Sequence, residues 1–414
     1  MGSRKIRAKK RKAGKQLPSA QEHNVGIYSK YLETNIGADY SALTAERKRQ
    51  LKRISEIRGR DVLVLAADMG KSLPGGITTA IAFEDRLPFN DQIENLHGPA
   101  LDLILETPGG SGEIAEEIVR RIRGKFQSFS VIIPGWAKSA GTIIAMGADE
   151  ILMGPDSALG PIDAQITWQG KQFSAGALLE SLAKIKKEVE ETGELNRAYL
   201  PILQGISPGE LEHARNALAF STSLATKWLA QYKFSKWATH SDGRPVTAEE
   251  REIRANEIAS ELCNHARWLS HGRSIRIDDL AELRIKVTDY SKNSELSDAI
   301  TRYYALLQMS FATNVYKLYE TVESQVLKFT QVQIVQQPAP GDVSVADHAV
   351  IEIVCRHCAT KQKLQVNFHP GTPLGVGCVT FPKNNVQKCP TCGADGNLTA
   401  LRLQLEAQAK RKIL

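Results

Sequence analysis

No apolar run in the chain approaches the roughly 18 residues needed to cross a bilayer, and the N-terminus has no apolar core of the kind a secretory leader carries. An integral membrane protein and an exported one are therefore not expected. The expected compartment is the cytoplasm, with no membrane partner. Cysteine is nearly absent from most of the chain. Cys263 stands alone before residue 355, so the body has no disulfide framework and Cys263 reads as a small core residue. There is no internal repeat. Acidic residues are missing from positions 1–16, which hold eight Lys and Arg. The formal charge of +7 therefore belongs to an arm, and the rest of the chain is within one charge of neutral. Residues 1–25 are expected to be a basic disordered arm, with phosphate contact to nucleic acid through residues 4–15 as the alternative. Ile6 stands where a myristoylation signal needs Ser or Thr, so the Met1-Gly2 start is not read as a lipidation site.

The 414 residues are 42% hydrophobic and 24% charged, a soluble globular composition with room for two or three folding units. Residues 26–58 read as an N-terminal helical segment, with Leu43, Leu51, Ile54 and Ile57 on one side of a helix over 40–58. From 59 to 175 short β-branched runs alternate with helical stretches. Strands are expected at 61–68, 100–107, 128–134 and 150–154, with helices at 112–124 and after residue 139. That alternation predicts an α/β fold with βαβ units, a mostly parallel sheet and crossovers on both faces. Residues 176–336 read as mainly helical. Ser207-Pro208-Gly209-Glu210 and Thr247-Ala248-Glu249-Glu250 are capping boxes opening helices to about 232 and to 269. A last helical region is expected over 294–328. Residues 337–342 (QPAPGD) read as a linker, and 342–414 as a small separate module.

Two glycine-rich turns follow buried strands, where a parallel α/β sheet places its active crevice. The first is Glu106-Thr107-Pro108-Gly109-Gly110, whose glycines let backbone N–H groups face a ligand. The second is Gly135-Trp136-Ala137-Lys138-Ser139-Ala140-Gly141-Thr142. It sets Ser139 at a helix start among small residues. Ser139 is a candidate nucleophile, and the N–H groups of Gly109 or Gly110 and of Ala140 are candidate oxyanion donors, each worth on the order of 3 kcal/mol. Either turn alone reads more simply as a plain turn or an N-cap. Two such turns on successive βα junctions are much more specific.

Residues 101–166 (LDLILETPGGSGEIAEEIVRRIRGKFQSFSVIIPGWAKSAGTIIAMGADEILMGPDSALGPIDAQI) resemble the ClpP/crotonase-type peptidases. Within that clan they look most like the serine dehydrogenase proteinase family, and less closely like the SppA and NfeD-type membrane peptidases. The shared pattern is strand, Pro-Gly-Gly, helix, strand, then Ala-x-Ser-Ala-Gly-Thr. It continues through Ala148-Asp149-Glu150-Ile151 to Ser157-x-Leu159-Gly160-Pro161-Ile162-Asp163, with a weaker likeness through His271-Gly272-Arg273-Ser274-Ile275. The resemblance implies a ClpP-like fold, peptidase activity on polypeptides, Ser139 as nucleophile and assembly as a homo-oligomer.

A serine needs a base. The histidine that follows the serine by about 25 residues in ClpP is replaced here by Asp163-Ala164. The serine dehydrogenase proteinase resemblance implies the order Ser, Asp, His, which maps onto Ser139, Asp163 and His271. The SppA and NfeD resemblances imply a Ser–Lys dyad. On the helix over 177–191, with apolar face Leu178, Leu182, Ile185 and Val189, only Lys186 lies near enough to that face to be a candidate alternative base. His97 and His213 are weaker candidates, His213 reading as a surface residue. A catalytically inactive scaffold, binding nucleic acid or a partner protein, is the rival of another class. A crotonase-like acyl-CoA enzyme, which needs no nucleophilic serine, is a further rival.

Cys355-Arg356-His357-Cys358 and Cys389-Pro390-Thr391-Cys392 are two Cys-x-x-Cys knuckles with 30 intervening residues. Thiolates at i and i+3 reach one ion, and two such pairs complete a tetrahedral site. A zinc ribbon holding one structural Zn2+ is expected, with a rubredoxin-like iron centre as alternative. His357, His369 and Cys378 are extra potential ligands, but four thiolates already close the site.

Overall fold

A computed structural model of the protein describes residues 26–330 and 348–414, with the exception of 35, 72, 74, 75, 169, 170, 356 and 410. The basic arm and the 337–342 linker lie outside the described residues. The chain divides into two compact units, Met1–Gln331 and Val332–Leu414.

The first unit opens with α1 (Ile27–Glu33) and α2 (Tyr40–Arg58), the latter capped by Asp39. Then come β1 (Asp61–Ala67), α3 (Arg86–Glu94), β2 (Ala100–Glu106), α4 (Gly112–Lys125) and β3 (Ser128–Ile133). A two-residue strand β4 (Trp136–Ala137) leads into α5 (Ala140–Met146), β5 (Glu150–Met153) and β6 (Ala158–Leu159). The hairpin β7 (Gln165–Trp168) and β8 (Lys171–Ser174) precedes α6 (Ala175–Thr192) and α7 (Leu200–Gln204). Next are α8 (Pro208–Trp228), α9 (Ala248–Cys263), α10 (His265–Trp268) and α11 (Ile277–Glu282). The unit closes with β9 (Thr288–Asp289), α12 (Ser294–Phe311), β10 (Val315–Glu320) and β11 (Gln325–Phe329).

Seven strands form one sheet in the order β11-β10-β1-β2-β3-β5-β9. The pairs from β1 to β9 are parallel, while β10 is antiparallel to both β1 and β11. The fold is mixed α/β with a mostly parallel sheet. Because β1, β2, β3 and β5 follow in order without reversal, their right-handed crossovers put α3, α4 and α5 on one face. There Phe89, Ile118, Ile122 and Ile144 pack on Leu63, Leu103 and Val131. The other face is covered by flanking helices: Leu51 and Ile54 of α2 and Tyr303 and Leu307 of α12 meet Val64, Ile104 and Ile132. The expectation of crossovers on both faces is corrected accordingly. Both faces of β1, β2, β3 and β5 are buried, and this is why these strands read as continuous apolar runs.

Two helical expectations are also corrected. The region 294–328 is a helix only to Phe311, then the hairpin β10–β11. The stretch 248–269 breaks at Asn264, whose side chain caps the Arg267 N–H at 3.2 Å and starts α10. Both capping boxes form as read, on Ser207/Glu210 and Thr247/Glu250.

The second unit has an antiparallel pair β12 (His348–Val354) and β13 (Lys361–Asn367), with β14 (Cys378–Thr380) parallel to β13. A hairpin β15 (Val386–Lys388) and β16 (Asp395–Asn397) and helix α13 (Thr399–Ala409) follow. Its core is small, centred on Leu364, Val366, Phe381, Leu398 and Ile413.

Candidate active site

The two glycine-rich turns meet beyond the ends of β2 and β3. Thr107 N–H donates to Trp136 O at 2.9 Å, and Lys138 N–H to Thr107 O at 3.0 Å, which extends the parallel pairing past the sheet. Glu106 closes the junction from beneath. It is buried, and its carboxylate accepts Trp136 N–H at 2.8 Å and Tyr304 O–H at 3.2 Å. Burial pushes this carboxyl up to about 7.

Ser139 occupies the N-cap position of α5 but does not cap it. Its backbone has φ 50° and ψ −114°, and its side chain makes no cap hydrogen bond. A non-glycine residue in that region is strained, by of order 1–3 kcal/mol. The simpler reading of Ser139 as an ordinary N-cap is thus not the one realised. Among the described residues, Ser139 Oγ has no hydrogen-bond partner.

Gly109 lies directly against the serine. At φ 104° it favours glycine, and a Cβ there would stand 2.6 Å from Ser139 Cβ and 2.8 Å from Lys138 O. Its N–H is already taken by Thr107 Oγ1 at 3.1 Å. Gly110, at φ 139°, is held by Ile81 on both sides: Ile81 N–H donates to Gly109 O at 2.6 Å and Ser111 N–H to Ile81 O at 2.9 Å. The N–H groups of Gly110 and Ala140 have no acceptor among the described residues.

Lys138 points away from the serine. Nearly buried, it donates from Nζ to Leu159 O at 3.2 Å, Arg273 O at 3.1 Å and Ser274 Oγ at 3.0 Å. Burial, and then the Arg276 guanidinium, pulls its ammonium down to about 8. Its bonds tie the segment that carries His271 to the residue preceding Ser139. A bridge adds to this tie, with Leu159 and Ile275 exchanging two hydrogen bonds of 2.9 Å.

Asp163 and His271, distant in sequence, do come together. Asp163 is buried, and His271 Nδ1 stands 3.8 Å from its Oδ2. Asp163 Oδ1 accepts the Ser174 hydroxyl at 2.6 Å, and Oδ2 accepts Gln165 Nε2 at 2.8 Å. These groups, with His265 and Trp268, border a cavity of about 210 Å³. No hydrogen bond joins Ser139 to this pair among the described residues. Lys186, the alternative base, has 79% of its side chain in solvent and pairs with Glu190 at 3.6 Å. The structure does not give it the desolvation a neutral lysine needs. His97 and His213 are exposed.

In the second unit the Sγ atoms of Cys355, Cys358, Cys389 and Cys392 lie within 4.8 Å of one another. Two separations are 3.6 Å (Cys355–Cys392) and 3.5 Å (Cys358–Cys389). Ligands 2.3 Å from a tetrahedral zinc stand about 3.8 Å apart, and a disulfide would need about 2.05 Å. The four thiols therefore fit one metal ion. Cys378 is outside the cluster, and His357 and His369 are exposed.

Sequence reasoning assigned no role to Glu106, Lys138, Gln165 or Ser174. Glu106 alone carried a signal, an acid at the end of an apolar strand two residues before Pro108-Gly109-Gly110.

Residues 31–196 match the family model of ClpP-like SDH-type serine proteinases. An uncharacterised protein of Methanocaldococcus jannaschii is 36% identical over 91 residues, which is 22% of this chain and 30% of that protein. A second from the same organism is 41% identical over 66 residues, 16% of this chain and 23% of that one. The matched stretches thus span less than a third of either relative. A mutant of the 1510-N membrane-bound stomatin-specific protease aligns at 17% identity and TM-score 0.29, covering 53% of this chain and 79% of that one. A probable enoyl-CoA hydratase/isomerase from Mycobacterium abscessus aligns at 16% identity and TM-score 0.18, covering 44% and 74%. No helix among the described residues is long and apolar enough to cross a membrane.

Proposed function

We propose that the protein is a serine endopeptidase or related acyl hydrolase acting on polypeptides through a Ser139 acyl-enzyme. The observation that carries this reading is the strained Ser139 backbone at the start of α5, with an unengaged hydroxyl, between a glycine turn and a helix N-terminus. Such strain at a helix start is what a nucleophile elbow uses to expose its oxygen. Gly110 and Ala140 supply the oxyanion N–H groups, since theirs have no acceptor among the described residues. Gly109 contributes room rather than a donor, its N–H being held by Thr107. His271 is the base and Asp163 its orienting carboxylate. In the first step the serine proton passes to the imidazole as Oγ attacks the carbonyl carbon. The same proton then goes to the leaving amine, and water releases the acyl group.

The four cysteines hold one structural Zn2+, which supplies folding energy to the second unit and takes no part in the chemistry at Ser139. The protein works in the cytoplasm as a homo-oligomer. One observation favours the rival reading of a non-catalytic scaffold that binds nucleic acid or protein: among the described residues no base touches Ser139. Hydrogen bonds at catalytic sites often tighten only with substrate bound, so the two readings are separated by reactivity. Intact-mass spectrometry after incubation with a fluorophosphonate should give one adduct on wild type and none on Ser139→Ala. His271→Ala should slow labelling by at least about 100-fold, and Lys186→Ala should leave it unchanged. Folded, metal-loaded wild type without an adduct would reject the peptidase reading in favour of the scaffold.

A further inference from the structure

Both oxygens of Asp163 are occupied before His271 reaches them. Ser174 holds Oδ1 and Gln165 holds Oδ2, at 2.6 and 2.8 Å. His271 Nδ1 is 3.8 Å from Oδ2, beyond hydrogen-bond reach, yet 3.3 Å from the same Gln165 nitrogen. Gln165 and Ser174 face each other across one antiparallel pair, at the root of the β7–β8 hairpin. Ser174 is also the N-cap of α6, accepting Ala177 N–H at 3.1 Å. The root of a single hairpin therefore grips the carboxylate from both sides.

The chemistry of the three groups fixes their protons. Gln165 must turn its NH2 to Asp163, because its amide oxygen would oppose a carboxylate oxygen. An amide nitrogen only donates, so the Nδ1 beside it accepts and the ring proton sits on Nε2. An imidazole in that state has no lone pair on Nε2 for the Ser139 proton. A direct Asp163–His271 bond reverses the assignment. Nδ1–H then donates to Oδ2, and Nε2 is free to act as base. A shift of roughly 1 Å would close that bond to normal length.

We propose that Gln165 is a positioning residue that sets the tautomer of His271. In the arrangement seen it holds the imidazole in the form that cannot accept the serine proton, and its withdrawal lets Asp163 take over Nδ1. The proposal rests on the serine-peptidase reading for its consequence, since only there does the tautomer govern a reaction. Its geometry stands independently.

The test uses the full chain with 15N-labelled histidine, as wild type, Gln165→Met and Gln165→Ala. Gln165→Met keeps most of the volume and removes the donor, and His271→Ala identifies the signals. Two quantities are read: the 15N shifts that distinguish Nδ1–H from Nε2–H at His271, and the rate of Ser139 labelling by a fluorophosphonate. Wild type should show the Nε2–H form. Both variants should shift to Nδ1–H, with labelling about tenfold faster, the low end of what a hydrogen bond to a charged group contributes. A merely structural role for Gln165 would not accelerate labelling. An Nδ1–H tautomer in wild type, or no change of tautomer in Gln165→Met, overturns the proposal while labelled Ser139 keeps the peptidase reading. A tautomer shift in variants that never label upholds the role of Gln165 at His271 and instead overturns the peptidase reading.

Discussion

Ser139 pairs a costly backbone with an idle hydroxyl, and the cost can be measured apart from the chemistry. Glycine occupies φ 50°, ψ −114° without the Cβ penalty. Comparing Ser139→Gly with Ser139→Ala removes the hydroxyl from both sides of the difference. The glycine variant should be more stable by about 1 kcal/mol, read from denaturant midpoints of the first unit, and neither variant should label. Equal stability, or a more stable alanine variant, would mean the strain is not there. The meeting of the two turns that carry Ser139, Gly109, Gly110 and Ala140 was legible in the sequence because each turn is short and contiguous, whereas the engagement of the Gly109 N–H by Thr107 was not. Asp163 and His271 were legible only through family resemblance. The sequence could not show that Ser174 and Gln165 hold the two oxygens of Asp163, with Gln165 also reaching His271, since that depends on how a hairpin folds back on its own base.

Strands and helices inside the parallel core were read nearly to their ends, because burial on both faces leaves uninterrupted apolar runs. The hairpin β10–β11 reads as helix from the sequence, and the reason is buried charge. Lys317 and Glu320 break the apolar pattern of Val315–Glu320. Both are buried, with Lys317 Nζ 2.9 Å from Asp85 and Glu320 3.1 Å from Arg47. Those partners lie 232 and 273 residues away, so nothing local announces that the charges are satisfied. Glu106 is a similar case with a measurable consequence for the junction between β2 and β3. Its folded carboxyl sits near 7 against an ordinary value near 4.5, so folding favours the protonated form. The stability it contributes is complete below about pH 4.5 and is lost as the pH rises through about 7. Glu106→Gln stays neutral throughout. The stability of wild type relative to this variant should therefore fall between pH 5 and pH 8, measured by urea unfolding at each pH. A difference that stays constant or rises would show that the backbone donors and Tyr304 outweigh burial.

Across the whole chain, the two units are stabilised by different means. The first unit has a sheet whose strands β1, β2, β3 and β5 are buried on both faces, whereas the second has, among the described residues, a core of five buried apolar side chains. Modules with so little apolar burial depend on a staple, and structural zinc contributes roughly 10–16 kcal/mol to comparable sites. The Cys-x-x-Cys spacing made the four-thiol cluster legible from the sequence, since thiolates at i and i+3 can both reach one ion. Elemental analysis should find one zinc per chain, lost in a Cys355→Ser/Cys389→Ser variant. Exhaustive chelation should abolish the unfolding transition of the second unit and leave that of the first at its original midpoint. Fluorophosphonate labelling of Ser139 should survive it. Loss of labelling on chelation, with the first unit still folded, would give the ribbon a part in activity and overturn a purely structural role for the ion. A second-unit transition that persists without metal would show that its few apolar contacts hold the module by themselves.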